Sequence, residues 1–310
     1  TKYSTENNGE TYVKVLIGSQ TYTLRGYSRA GLRTCICIDE LNVVFDMGYA
    51  NERAYSFDNK LISHGHNDHI GALHIDHCAR KLNNINKKKL FVMPKQCIRP
   101  FKIIASAVSE MNCGKPGDNF KFFDSLMLTD IIESEFCETE YYNLIGGSKI
   151  ESEYWVRSFQ MDHKIKSYGY IIYRKSRRLK PEYLGLKSKE IIEIKKTLGE
   201  DNLTTDVYTP IVGYTGDTTI NGVINNVEFL QVPLLIMECT GFAPDDNCTC
   251  CEGKHIHIND LVLHEKLFAN KHIVLFHFSQ QYRNMDQLLA HCSHIPPTLL
   301  AKLSFFFEYI

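Results

Sequence analysis

The chain has 310 residues, of which 44% are hydrophobic, 23% charged and 11% aromatic, the proportions of a globular protein with a large core rather than of a disordered, collagen-like or disulfide-stapled chain. Lys and Arg number 35 against 36 Asp and Glu, a formal charge of -1, which excludes a globally basic nucleic-acid binder and leaves room for a local basic patch. No stretch approaches the roughly 20 apolar residues of a bilayer-spanning helix. The first eight residues are polar and lack the apolar core of a signal peptide. The 11 Cys form no regular framework, so reduced thiols in a cytoplasmic compartment are expected. The 13 His point to chemistry, because imidazole binds metals and carries protons near neutral pH.

Taken in chain order, the first third reads as strands: Thr11 to Ile17 up to Gly18, Thr34 to Ile38 before Asp39, and Val43-Val44-Phe45 running into Asp46-Met47-Gly48. Short β-branched runs broken by Gly, Asp and Asn are strand and turn signals. Residues 60 to 64 give another apolar strand, then a His-rich turn and a helix-like stretch from Ile70 to about Leu82. Pro100 to Met111 has apolar residues at helical spacing. Strands are expected at Trp155 to Phe159 and Tyr168 to Tyr173, and an amphipathic helix at Ser188 to Leu198. Three buried-type strands follow, at Ile211 to Tyr214, Leu234 to Met237 and Ile273 to Phe276, each with acidic or His residues near its end. Interleaved strands and helices imply a mixed α/β fold. Polar residues at successive strand ends imply one site along a sheet edge.

Ser63-His64-Gly65-His66-Asn67-Asp68-His69 places four ligand-type side chains in six residues, spaced H-x-H-x-D-H. After a strand and a tight turn at Gly65, His64 and His66 can serve one ion while Asp68 and His69 serve a second. That imidazole and carboxylate mix suits Zn²⁺, with Mn²⁺, Fe²⁺ or Co²⁺ as substitutes. The motif resembles the signature of the metallo-β-lactamase superfamily, and more closely its ribonuclease Z (tRNA 3′-processing endonuclease) branch. Phe159 to His163 with Ser167-Tyr168-Gly169-Tyr170 resembles the third motif, Tyr214-Thr215-Gly216-Asp217-Thr218 the motif of the bridging Asp, and Phe276-His277-Phe278-Ser279 the last. The resemblance runs from about Leu24 to about Tyr282 and implies a four-layer αβ/βα sandwich with two mixed sheets between helices, one domain over residues 1–310. It also implies that His163 completes the first site, His277 the second, and Asp217 bridges two Zn²⁺. Each of these three flanks an apolar run that can end at a sheet edge, so the residues themselves allow the same set.

Two ions sharing a water bring its pKa to near 7, which makes hydrolysis of a phosphodiester, ester or amide the expected chemistry. The resemblance gives Asp68 the role of base, and Glu238 with His255 that of an oriented general acid; His257 competes with His255 for it. The family usually has Gly where Lys254 stands and Arg before Tyr282, where this chain has Gln281. Between His163 and Pro181 lie seven Lys or Arg and no Asp or Glu. Arg174, Lys175, Arg177, Arg178 and Lys180 are candidates to bind RNA, on a short basic insertion around residues 174–206 where the family carries its tRNA-gripping arm. Lys87-Lys88-Lys89 reads as a solvated turn. Cys248, Cys250 and Cys251 could hold a structural zinc with His255 or His257, though a plain loop fits their spacing better. The resemblance implies an endoribonuclease that removes the 3′ trailer of precursor tRNA, and a homodimer; with no long apolar stretch, no membrane partner is expected. The alternatives are a metallo-hydrolase of β-lactams or small esters and phosphodiesters, and a non-catalytic RNA-binding homologue.

Overall fold

A computed structural model describes residues 4–5, 10–49, 52–76, 89–113, 128–131, 141–144 and 153–308. The strands of the first sheet lie in sequence order: β1 (Ser4–Thr5), β2 (Thr11–Ile17), β3 (Gln20–Arg29), β4 (Arg33–Ile38), β5 (Val43–Phe45), β6 (Asn59–Leu61), β7 (Leu90–Pro94) and β8 (Leu128–Ile131). It is antiparallel from β1 to β5 and parallel from β5 to β8. The second sheet holds β9 (Tyr142–Asn143), β10 (Tyr154–Met161), β11 (Ser167–Leu179), β12 (Thr204–Tyr214), β13 (Leu234–Glu238), β14 (His272–Phe276) and β15 (Leu303–Phe305). Pairing is antiparallel from β9 to β12 and parallel from β12 to β15.

Side-chain alternation sets the layers. On β13, Leu234 and Ile236 join a core shared with Val13, Leu24 and Ile38 of the first sheet. Leu235 and Met237 face the other way, onto Phe229, Leu261 and Leu288. β14 repeats this, with Val274 and Phe276 inward and Ile273 and Leu275 outward. Strands buried on both faces read as unbroken apolar runs, which is why these two segments are legible without alternation. On the outer face of the first sheet, Cys35, Val44 and Phe91 pack on Ile98, Phe101 and Ala105 of the helix Lys95–Cys113. Helix, sheet, sheet and helix are therefore stacked, as the four-layer expectation has it.

Some boundaries shift. The strand expected at residues 60 to 64 closes at Leu61, and the His-rich segment is a loop followed by the four-residue helix Asn67–Ile70. The expected helix beyond residue 76 lies outside the described residues, as do Lys87 and Lys88. Lys89 is buried rather than solvated: its Nζ donates to Tyr55 O at 2.7 Å and shares the Asp76 carboxylate with Lys60. β11 is buried through Tyr173 and then emerges. Residues 174–179 pair with 204–209 as a projecting two-stranded arm. It carries the helix Ser188–Leu198, which buries none of its side chains. Among the described residues no helix is long and apolar enough to cross a membrane.

Candidate metal centre

Successive strand ends deliver the chemistry to one place. β6 hands over to the loop at Ser63, whose N–H donates to Asp46 Oδ1 at 2.7 Å, just past β5. Gly48 lies so close beneath that a Cβ there would stand 1.7 Å from Asp68 O; only glycine admits this contact. His163 follows β10. Asp217 follows β12 after Gly216, whose φ of +60° and closeness to Ser63 both require glycine. His277 follows β14 directly, with φ at 67°.

These ends bring the predicted side chains into groups whose donor atoms lie within 4.8 Å of one another. His64, His66, His163 and Asp217 form one and Asp68, His69 and His277 a second; Asp217, His255 and His277 also lie within that span. Asp217 stands between them, with Oδ2 3.7 Å from His64 Nε2 and 3.4 Å from His277 Nε2, and Oδ1 3.3 Å from His69 Nε2. In the first group His66 Nδ1 is 3.0 Å from His64 Nε2 and 3.3 Å from His163 Nε2. In the second, His277 Nε2 is 3.3 Å from His69 Nε2 and 3.4 Å from Asp68 Oδ2. Nitrogen and oxygen ligands at about 2.0–2.1 Å around a tetrahedral ion stand about 3.3 Å apart, so both groups have the span of such a shell.

The outer ring nitrogens fix the tautomers. His69 Nδ1–H donates to Asp46 Oδ2 at 2.7 Å, and His163 Nδ1–H to Lys254 O at 3.1 Å. Ser63 gives its hydroxyl proton to Asp46 and so accepts from His64 Nδ1–H at 3.0 Å. Thr240 gives its proton to Glu238 Oε2 and accepts from His277 Nδ1–H at 3.1 Å. Each arrangement turns an Nε2 lone pair inward. Burial holds His64, His66 and His163 below the usual imidazole pKa, favouring the neutral form a metal needs. Burial also acts on His69, but the Asp217 and Asp46 carboxylates outweigh it and raise its pKa, a sign of the negative field at this point. The buried Asp217 Oδ1 accepts no hydrogen bond from the protein. An orphaned carboxylate oxygen amid inward lone pairs fits a pair of divalent cations, and the all-nitrogen-and-oxygen set suits zinc.

Asp46 escaped the sequence reading as a site residue, although it stood there as the acidic end of a strand. It is fully buried and accepts from Ser63, His69 and the Tyr214 hydroxyl. Gly31 was missed too: its N–H donates to Asp68 Oδ2 at 2.7 Å.

Glu238 ends β13 fully buried and accepts from Thr218 N at 2.9 Å, Thr240 Oγ1 at 2.9 Å and His255 Nδ1 at 2.9 Å. Burial would lower the His255 pKa, but Glu238 more than compensates and raises it to about 9. His257 is engaged elsewhere. It is buried, not at the surface: Nε2–H donates to Ala243 O at 2.9 Å, and Nδ1 accepts from Asn259 N at the start of the helix Ile258–Leu263. Cys250 is buried with its thiol toward Ile256 O, and Cys251 is exposed. Among the described residues no cysteine joins a metal-type cluster; the Cys248 side chain lies outside them.

No family model matches the chain. It is 33% identical over 287 residues to tRNase Z TRZ1 of Arabidopsis thaliana, covering 91% of this chain and 94% of that protein. The chain belongs to the tRNase Z family. The nuclear ribonuclease Z of Triticum aestivum is 31% identical over 175 residues, 56% of this chain and 88% of that protein. The metallo-β-lactamase fold protein YhfI from Bacillus subtilis superposes with a TM-score of 0.56 at 14% identity, over 91% of this chain and 95% of that one. Human tRNase Z, short form, gives 0.54 at 16% identity, again over 91% and 95%. The fold is thus that of the metallo-β-lactamase proteins, and the enzyme class that goes with tRNase Z membership is a metal-dependent endoribonuclease. In the fold the cations of the arm are partly neutralised. Arg174 pairs with Glu153, Lys175 with Asp206 and Arg177 with Asp201. Arg178 and Lys180 have no ion pair among the described residues.

Proposed function

We propose that this protein binds two Zn²⁺, through His64, His66, His163 and Asp217 on one side and Asp68, His69, His277 and Asp217 on the other, and cuts precursor tRNA at the 3′ trailer. The carrying observation is the pair of donor groups that share Asp217 beside a His255 already bonded to Glu238. Bound there, the ions supply Lewis acidity and a water acidified to near neutral pH. Asp68, held by Gly31 N–H, takes the proton of the attacking water. Glu238 accepts from His255 Nδ1, which leaves Nε2 as the donor to the departing ribose 3′-oxygen. His255 is only 19% exposed, and its raised pKa keeps it in the donating form at neutral pH. An alkoxide is a poor leaving group, so this proton is worth about 10²- to 10⁴-fold in rate. Arg174, Lys175, Arg177, Arg178 and Lys180 belong to the same reading as the RNA-facing side of the arm, Arg178 and Lys180 being the two not committed to carboxylates. A homodimer and a reducing, cytoplasmic setting complete it.

The test is cleavage of precursor tRNA by the zinc-loaded protein, with product ends sequenced. A product ending at the 3′ side of the acceptor stem with a 3′-hydroxyl is expected, and a His255→Ala variant should lose at least a hundredfold in kcat. Turnover of a chromogenic β-lactam with intact precursor would overturn the reading. Full activity in His255→Ala would remove His255 as the acid.

A further inference from the structure

A groove of about 540 Å³ opens beside His163, between the turn joining β10 to β11 and residue 254. Its wall includes Gln160, Asp162, Lys164, Lys166, Asn225 and Lys254, three lysines to one carboxylate residue. Ile165 lies in the same wall and is 39% exposed, an apolar surface among the cations. His163 lines the groove on one side and belongs to the first donor group on the other, so a chain lying in the groove continues into the candidate centre.

Lys254 is the telling member. It sits in the left-handed region, φ 56° and ψ 55°, at the end of the helix Asp246–Gly253. Its carbonyl accepts from His163, a contact glycine would make without backbone strain. Lysine where glycine would carry no strain points to a role for the side chain itself. Its Nζ rests 2.7 Å from Asp162 Oδ1, with the two side chains 45% and 41% exposed. An ion pair so open to water is weak and exchanges readily for a stronger anion. Asp162 keeps other partners when released: Thr219 Oγ1 donates to its Oδ2 at 2.7 Å and Thr218 Oγ1 lies 3.2 Å from its backbone N–H. Lys164 is exposed and has no ion pair among the described residues.

We propose that this groove is a nucleotide subsite, taking one residue of the RNA chain next to the bond to be cut, with Lys254, Lys164 and Lys166 on its phosphate and Ile165 under its ribose or base. Cations with an apolar floor suit a phosphorylated, flat-faced ligand, and the volume lies in the range of small-ligand sites. The proposal rests on the endoribonuclease reading and supplies contacts beyond the arm.

The test uses the zinc-loaded protein and a labelled acceptor-stem hairpin with a single-stranded 3′ tail and a non-cleavable methylphosphonate at the junction. Fluorescence anisotropy is read across a salt series for Lys254→Gly, which relieves the backbone, and for a Lys164→Ala/Lys166→Ala double variant. Each should bind about tenfold more weakly, with the slope of log affinity against log salt reduced by about one per lysine removed. Their losses in kcat/KM on precursor tRNA should exceed those on bis(p-nitrophenyl) phosphate at least tenfold. Unchanged affinity and slope, or parallel losses on both substrates, would overturn the subsite. A parent protein that binds the hairpin through these lysines yet cleaves no RNA would instead sink the endoribonuclease reading and leave the groove standing.

Discussion

Asp46 takes hydrogen bonds from Ser63 N, Ser63 Oγ, His69 Nδ1 and Tyr214. Glu238 takes them from Thr218, Thr240 and His255. Through Ser63 and Thr240, these two buried carboxylates also fix His64 and His277. The side chains offered to the ions were legible because H-x-H-x-D-H packs four of them into six residues. Asp46, which orients them, was not, because its meaning depends on pairings such as that with Tyr214, 168 positions apart; Glu238 was read as the partner of His255 but not of Thr240. Spacing left His255 and His257 in competition; in the structure His255 Nδ1 meets Glu238, while His257 Nε2 meets Ala243 O. Outer partners of metal-binding imidazoles typically carry 10- to 100-fold in affinity. Asp46→Asn keeps the shape but loses the anion facing His69 and should lower zinc affinity by that factor in competition with a chromogenic chelator. Wild-type affinity in that variant would refute the ordering role.

At the level of elements, the body follows from apolar runs and the arm does not. β13 and β14 are unbroken hydrophobic segments, and burial on both faces is what such segments predict. The run from Arg174 to Lys180 looked like free positive charge. Folding the arm brings Asp201 and Asp206 across from it, and Glu153 from just before β10. A charge count along the chain is blind to such cross-strand neutralisation. Because the helix Ser188–Leu198 buries nothing, the arm adds little to global stability. Replacing residues 181–202 with a short Gly-Ser turn should leave Tm within a few degrees while raising KM for precursor tRNA severalfold. A collapse in Tm would show that the arm is part of the folding unit, and an unmoved KM that it does not grip RNA.

Across the whole molecule, the candidate centre draws on both sheets. His64, His66, Asp68 and His69 come from the loop and helix after β6, whereas His163, Asp217 and His277 come from the ends of β10, β12 and β14. Ions held there would tie the two halves of the sandwich together. A ligand that binds only the folded state at a thousand times its Kd adds about 4 kcal/mol, so stripping zinc with a strong chelator should lower Tm by several degrees and added zinc should restore it. A Tm indifferent to chelation would mean the site does not couple the sheets. Two of the strand ends at that centre sit in the left-handed region, His277 at φ 67° and Asp46 at φ 59°. Asp tolerates that region, but for a histidine it costs about 1 kcal/mol or more. Position 277 is therefore one where glycine would suit the backbone at least as well as histidine while removing the imidazole, so the cost of the residue is borne locally at the mouth of the candidate centre.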